Sequence, residues 1–219
     1  MKKIQTYILL TFLTLVPEYS DNLKAEEKMK PMSQQEITGF EQALKSKGEA
    51  TFSMESQFVQ EKNLEMLNRK MVSKGIFRYM KEDKISFLYE LPLKYHMIIN
   101  GSRLKIVNNG KVQTVDLNNN PMMKEMKGLI EASFLGRLSG MDSSYKITYF
   151  QNDNKIFVYV IPSNKGVSEM IRKISVTFDK VTLDILQLQL DEGAKSSTTY
   201  YFTQQKFNTI KSDESFRIL

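Results

Sequence analysis

The chain has 219 residues, with 31 Lys and Arg against 25 Asp and Glu, one His and no Cys. The missing thiols exclude a disulfide framework, a thiolate metal site and a lipid anchor on cysteine. The net charge of +6 is spread as single lysines among acids. That is a solvated surface rather than a nucleic-acid-binding block, and no nucleic-acid motif accompanies it.

Met1-Lys2-Lys3 is a short basic start, residues 4–16 are apolar apart from Gln5 and three threonines, and Pro17 breaks the run before a polar stretch ending at Ala25. This charge–apolar–polar order predicts a secretory signal peptide over residues 1–25. The apolar run is too short to span a bilayer as a helix. The expected product is an exported, cysteine-free chain in the bacterial periplasm. Residues 26–219 carry no internal repeat and no Pro/Gly/Ser-rich linker, so they are read as a single domain.

Residues 33–47 predict a helix. Ser33 and Glu36 have capping-box spacing, Ile37, Phe40 and Leu44 form one stripe, and Gly48 is placed to end it. Residues 52–60 alternate, with Phe52, Met54, Ser56 and Phe58 on one face. Residues 64–71 fit either a loop or the start of a strand. Three short strands follow at 76–80, 85–90 and 95–99, divided by the charged reversal 81–84, by Pro92 and by Asn100-Gly101. Asn108-Asn109-Gly110 between the alternating runs 103–107 and 111–116 is a hairpin signal.

The period then changes. Over residues 121–138, Met122, Met123, Met126, Leu129, Ile130, Phe134 and Leu138 recur at helical spacing. This stripe is either ordinary core or a cover for the hollow side of a sheet. Strands return at 145–150, 155–161, 174–179, 183–191 and 198–203, with a short connector at 167–173. The total is roughly ten or eleven strands and two main helices, an antiparallel meander that curls into a sandwich or barrel.

Catalytic chemistry is hard to place on this chain. The lone His96 sits in an apolar strand run and reads as structural. No Gly-x-Ser-x-Gly elbow, His-Glu-x-x-His motif or phosphate loop is present. Asp142 beside Ser143-Ser144 does not by itself make a charge relay. No cofactor or metal is implied, and no enzyme is expected. A hydrolase and a purely structural module remain the competing readings. What the chain does offer is apolar wall rich in Phe, Tyr and the adaptable Met.

Several short segments, in order over most of the chain, resemble one family. They are Phe58-Val59-Gln60, the run from Ser73 through Gly75 to Phe77, the run from Phe87 through Tyr89 to Pro92, and Ile99-Asn100-Gly101-Ser102-Arg103-Leu104. The strand pair around Asp179, Leu183 and Leu186 follows, and then the tail with Thr199, Phe202, Asn208 and Phe216. Together with the N-terminal signal and the length, they resemble the LolA-type periplasmic carriers of outer-membrane lipoproteins. The resemblance implies a mainly β (α+β) fold: an incomplete, strongly curved antiparallel β-barrel with helices covering its concave side. It implies a carrier that holds the acyl chains of lipoproteins in an apolar cavity. The carrier would take cargo from an inner-membrane lipoprotein-releasing transporter and hand it to an outer-membrane lipoprotein receptor, acting as a monomer. The expected lining is Phe52, Met54, Phe58, Phe77, Tyr79, Phe87, Tyr89, Ile98, Leu104, Ile106, Met126, Ile130 and Phe134. One departure stands out. Ser86 occupies the position before the aromatic where the family commonly has an arginine that helps close the helical lid, with Arg78 nearby as a possible substitute. That departure motivates an alternative, a carrier or sensor of another lipid or glycolipid.

Overall fold

The computed structural model describes residues 29–119, 127–128, 131–132, 144–193 and 196–218. The signal peptide expected at residues 1–25 lies outside them. The chain opens with β1 (Lys30–Pro31) and helix α1 (Gln34–Ala50), then β2 (Ser53–Leu64), β3 (Arg69–Met80), β4 (Lys84–Leu91), β5 (Tyr95–Asn100), β6 (Arg103–Asn108) and β7 (Lys111–Asp116). After the 120–143 region come β8 (Tyr145–Gln151), β9 (Lys155–Pro162), the one-turn helix α2 (Lys165–Ser168), β10 (Ile171–Asp179), β11 (Ile185–Glu192) and β12 (Ser196–Phe207).

Among the described residues, the strands form one antiparallel sheet of twelve in the order β1-β8-β9-β10-β11-β12-β2-β3-β4-β5-β6-β7. β1 and β7 are its two edges, so the sheet is not closed into a barrel. The order joins two meanders through the β12–β2 pair. The short β1, paired with β8 at Pro31↔Phe150, has no periodic signal in the sequence.

Local chemistry explains the helix and the turns. Ser33 caps α1 as expected: its hydroxyl accepts from the Glu36 amide at 3.3 Å, and Glu36 accepts from the Ser33 amide at 2.7 Å. Those bonds hold the Glu36 carboxyl down at about 2. The helix does not end at Gly48, however. It continues to Ala50, where Thr51 is the C-cap and its amide bonds the Gly48 carbonyl. Gly48 is buried instead; a residue without a side chain suits a helix face pressed onto its support. The Asn109-Gly110 hairpin has positive φ at both residues (48° and 77°), the geometry of a type I′ turn.

The sheet curls sharply between β4 and β12. These strands are three steps apart, roughly 14 Å in a flat sheet. Yet the Phe87 and Tyr200 ring centroids are 5.6 Å apart. Phe77 and Phe202, two steps apart, are also at 5.6 Å. Irregularities help bend the ladder. β12 gains residues between Thr203 and Lys206 opposite Ser56, whose hydroxyl donates to the Thr203 carbonyl at 2.8 Å. β3–β4 slips between Lys74 and Gly75.

Gly75 is the tightest point. It lies between Phe58 on β2 and Tyr89 on β4, whose rings meet edge to face at 5.0 Å. A Cβ there would sit 2.0 Å from the Leu88 carbonyl oxygen and 2.9 Å from the Phe58 ring. Gly75→Ala is therefore expected to lose about 2 kcal/mol or more of stability, since neither the backbone carbonyl nor the packed ring can move freely. Urea denaturation measures this; a loss below about 0.5 kcal/mol would mean that the contact is not a constraint.

Candidate functional site

The sheet has two faces of different character. One carries Met54, Ser56, Phe58, Phe77, Tyr79, Ile85, Phe87, Tyr89, Leu104 and Phe202, and continues through Val158, Val160, Val176 and Phe178. Alternate residues share a face, and the curl described above makes this face concave. Its centre is a cluster of rings from β2, β3, β4 and β12. Phe58 meets Phe87 at 5.6 Å, Phe77 meets Phe87 at 4.8 Å, and Tyr89 stacks on Tyr95 at 4.0 Å. α1 covers the β8–β10 half, where Phe40 packs on Phe178 at 5.3 Å and on Tyr149 at 6.2 Å. The Tyr149 hydroxyl donates to Glu41 of the same helix.

Residues 127–128 and 131–132 are helical, as expected for the 121–138 stripe. Ala132 is buried in the same core cluster. Lys127 pairs with Asp83 of the β3–β4 turn at 3.1 Å and with Glu131 at 3.2 Å. The described part of this segment thus packs with the inner cluster and is tied to the rim of the sheet.

Of the thirteen residues expected to line a cavity, seven are buried in the inner cluster: Met54, Phe58, Phe77, Tyr79, Phe87, Tyr89 and Leu104. Ile106 is half-buried against it. Met126, Ile130 and Phe134 lie outside the described residues. Two are elsewhere. Phe52 is 52% exposed at the bend before β2, where its amide donates to the Asn208 side chain. Ile98 is buried on the outer face with Met80 and Phe216. The sequence misassigned Ile98 because both faces are covered at β5, so Ile98 and Ile99 are equally apolar and alternation carries no sign. Tyr200, Phe202, Met97 and Tyr95 were missed as inner-face residues; their parity with Phe58 and Phe87 follows once the register is known.

Position 86 also departs from expectation. Ser86 is fully buried and faces outward, opposite to Phe87. Arg78, next to it across the β3–β4 ladder, pairs with Glu55 at 2.8 Å on the same outer face. Neither is aimed at a cover on the concave side. The Ser86 hydroxyl is 2.7 Å from His96 Nε2, the spacing of a nucleophile and its base. The serine is nevertheless fully buried and without access for a substrate carbonyl. On this face the C-terminal tail packs down through Phe216, whose carbonyl accepts from the Asn100 side chain at 3.1 Å.

The inner face turns polar at one end. Gln60 Nε2 donates to the Tyr200 hydroxyl at 2.8 Å, and the Tyr200 and Tyr89 hydroxyls are 3.2 Å apart. Lys62 and Glu192 form an ion pair at 3.2 Å beside them. Burial raises the pKa of Tyr89, Tyr95 and Tyr200 above the ordinary tyrosine value, so all three stay protonated. Elsewhere an open groove of about 440 Å³ runs along α1, between Met32, Phe40, Ala43, Ile156 and Leu183. No group of acidic, His or Cys residues suited to a metal occurs among the described residues.

His96 supplies a pH handle. Its pKa is lowered from 6.5, chiefly by burial, with Arg78 and Lys105 adding repulsion. The unfolded chain therefore takes up a proton before the folded one does. The associated stability is present above about pH 6.5 and is lost as pH falls through the folded-state pKa. The urea midpoint of the wild type should accordingly fall more steeply between about pH 7 and pH 5 than that of His96→Gln; parallel slopes would show that His96 does not titrate this way.

No curated protein matches the chain. Among solved structures, it resembles a LolA superfamily protein from Nitrosomonas europaea at 8% identity, covering 80% of this chain and 96% of that one, with a TM-score of 0.44. It also resembles the lipoprotein LppX of Mycobacterium tuberculosis (11% identity, 82% of this chain and 99% of that one, TM-score 0.43). A chain of the Pseudomonas aeruginosa MucA/MucB complex gives 14% identity, 82% and 60% coverage, and a TM-score of 0.47. The family model described as outer membrane lipoprotein carrier protein LolA matches residues 49–219. That span takes in β2 through β12 and the tail packed on the outer face, and the chain belongs to the LolA family.

Proposed function

We propose that this protein binds the acyl chains of lipoproteins on the concave aromatic face and carries them through the periplasm from the inner to the outer membrane. The observation that carries the reading is the continuous apolar inner face, built by aromatic residues of β2, β3, β4 and β12 on a sheet that stays open at both edges. Membership of a lipoprotein-carrier family supports it.

The energetics require such a face. Each CH₂ left in water costs about 0.8 kcal/mol, so an acyl chain of about fifteen CH₂ groups costs on the order of 12 kcal/mol. A lipid-modified protein cannot cross an aqueous compartment with that surface bare. The inner rings are buried in this structure, so cargo reaches them only as the elements packed over them give way. Loading against that packing would draw on an inner-membrane lipoprotein-releasing transporter, and unloading on a tighter outer-membrane lipoprotein receptor. Covalent chemistry has no part in this cycle, so the protein acts as a binding module and not as an enzyme. Residues 1–25 serve as the cleaved export signal, and residues 26–219 work as one domain and as a monomer.

Affinity capture of the exported protein from a periplasmic extract, followed by mass spectrometry, is expected to recover proteins carrying an acylated N-terminal cysteine. Recovery of free lipid or glycolipid without a protein moiety would replace this reading with a carrier or sensor of another lipid. Capture of neither would reject a carrier role.

A further inference from the structure

We propose that the hydroxyl end of the concave face, formed by Gln60, Tyr200, Tyr89 and Tyr95, recognises the uncharged carbonyl of an acyl ester or amide and discriminates against an anionic head. The inference rests on the acyl-binding reading above and adds to it the chemistry of the head and the direction in which the chain lies.

The first support is a polarity gradient that runs the same way along several strands. The inner positions of β2 read Met54, Ser56, Phe58, Gln60 and Lys62. Those of β12 read Phe202, Tyr200 and Thr198, those of β4 Ile85, Phe87 and Tyr89, and those of β6 Leu104, Ile106 and Asn108. The register stacks these sequences side by side: Phe58 faces Phe202, Gln60 faces Tyr200 and Lys62 faces Thr198. Across the curl, Tyr89 comes to Tyr200. The gradient is thus shared by β2, β4, β6 and β12, whereas β9 and β10 stay apolar along the same face. A hydrocarbon tail fits over Phe87, Phe77 and Phe202, with its polar end at the tyrosines.

The second support is the count of protons. Gln60 donates to Tyr200, the Tyr200 and Tyr89 hydroxyls share one bond, and the Tyr95 ring stacks on Tyr89 at 4.0 Å. Each hydroxyl has one proton. The one link between the Tyr200 and Tyr89 hydroxyls uses one of that pair's two protons. Gln60 fills an acceptor position and offers no acceptor to the pair through that bond. One O–H therefore remains to be donated outward. Tyr89 is fully buried and Tyr200 half-buried; with Tyr89 donating to Tyr200, which avoids a stranded buried proton, the spare O–H is that of Tyr200.

The third support is charge. Lys62, next along β2, is held by Glu192, and Glu192 also accepts from the Thr198 hydroxyl at 2.8 Å. That lysine is already neutralised, and the carboxylate at its side repels a second anion. An ester or amide carbonyl needs only the donor; a fatty-acid carboxylate or a phosphate would be desolvated without a counter-charge.

The test is equilibrium dialysis of radiolabelled 1-monopalmitoylglycerol and palmitate, each below its aggregation concentration at about pH 8, against the exported protein and its Tyr200→Phe and Tyr89→Phe variants. The wild type is expected to hold the uncharged ester about tenfold more tightly than the carboxylate. The variants keep the rings but lose a donor, so their ester binding should weaken several-fold and the preference over palmitate, taken as a ratio within each variant, should fall to about twofold. Thermal denaturation checks that they remain folded. Equal binding of the two probes by the wild type, or a preference that survives Tyr200→Phe, would overturn the inference while leaving acyl binding intact. Failure of the wild type to bind either probe would remove the acyl-binding reading and this inference with it.

Discussion

The approach of Phe58 to Tyr89 across Gly75 sets the shape of the inner face. With any side chain at position 75, the β2 and β4 rings would be held apart by an intervening group, and the ladder would open to relieve the contact. Because the position is bare, rings from strands two and three steps apart fall within 5–6 Å of one another. The concave face is therefore not an independent feature added to a sheet. It is what remains when an open sheet closes its aromatic side chains around a missing one. The same curl brings the Tyr200 hydroxyl to Tyr89 and so creates the polar end.

The segments that mark the family do mostly structural work. Gly75 permits the ring contact. Gly101 adopts positive φ in the β5–β6 turn. The Asp179 carboxylate accepts from the amides of Val181 and Thr182, closing the β10–β11 turn. Asn208 joins the end of β12 to the start of β2: its Oδ1 accepts from the Phe52 and Ser53 amides, and its Nδ2 donates to the Ala50 carbonyl. Phe216 closes the outer face over Met80 and Ile98. These residues define how the sheet is bent and sealed. The same segments also supply inner-face residues: Phe58, Phe77, Phe87, Tyr89, Leu104 and Phe202.

Most of the strands were legible, because turns announce themselves through residues with positive φ or a missing amide. Asn109-Gly110, Asn100-Gly101 and Pro92 each stand where a strand begins or ends. Parity was legible where one face is wet: Glu55 and Gln57 alternate with Met54 and Phe58, and the inner face of β2 is plain. It failed at β5, where the C-terminal tail buries the outer face and makes Ile98 as apolar as a lining residue. It also failed at position 86, where Ser86 faces the outside and is buried all the same. A burial created by a segment some 120 residues later leaves no periodic trace in the strand itself. The hydroxyl cluster was invisible for the same reason. Tyr89 and Tyr200 meet only through the register of the β12–β2 pair, which no local pattern encodes.

A carrier has a requirement that an enzyme pocket or a storage protein lacks, which is to let go. Burying the whole of an acyl chain in a rigid, complementary cavity would recover most of the roughly 0.8 kcal/mol per CH₂ and leave little for a receptor to compete against. A face whose rings already satisfy one another in the closed state works differently. On the proposed carrier reading, cargo would have to displace Phe–Phe and Phe–Tyr contacts to gain its own, so the net affinity would be the difference between two apolar packings rather than the full transfer free energy. Fixed hydrogen-bond donors at one end then carry selectivity at small cost in affinity, because a carbonyl exchanges a water for a tyrosine hydroxyl. On the reading proposed above, the division of labour would follow the register of the sheet: the aromatic residues would set how tightly a chain is held, and the hydroxyls which chain is preferred.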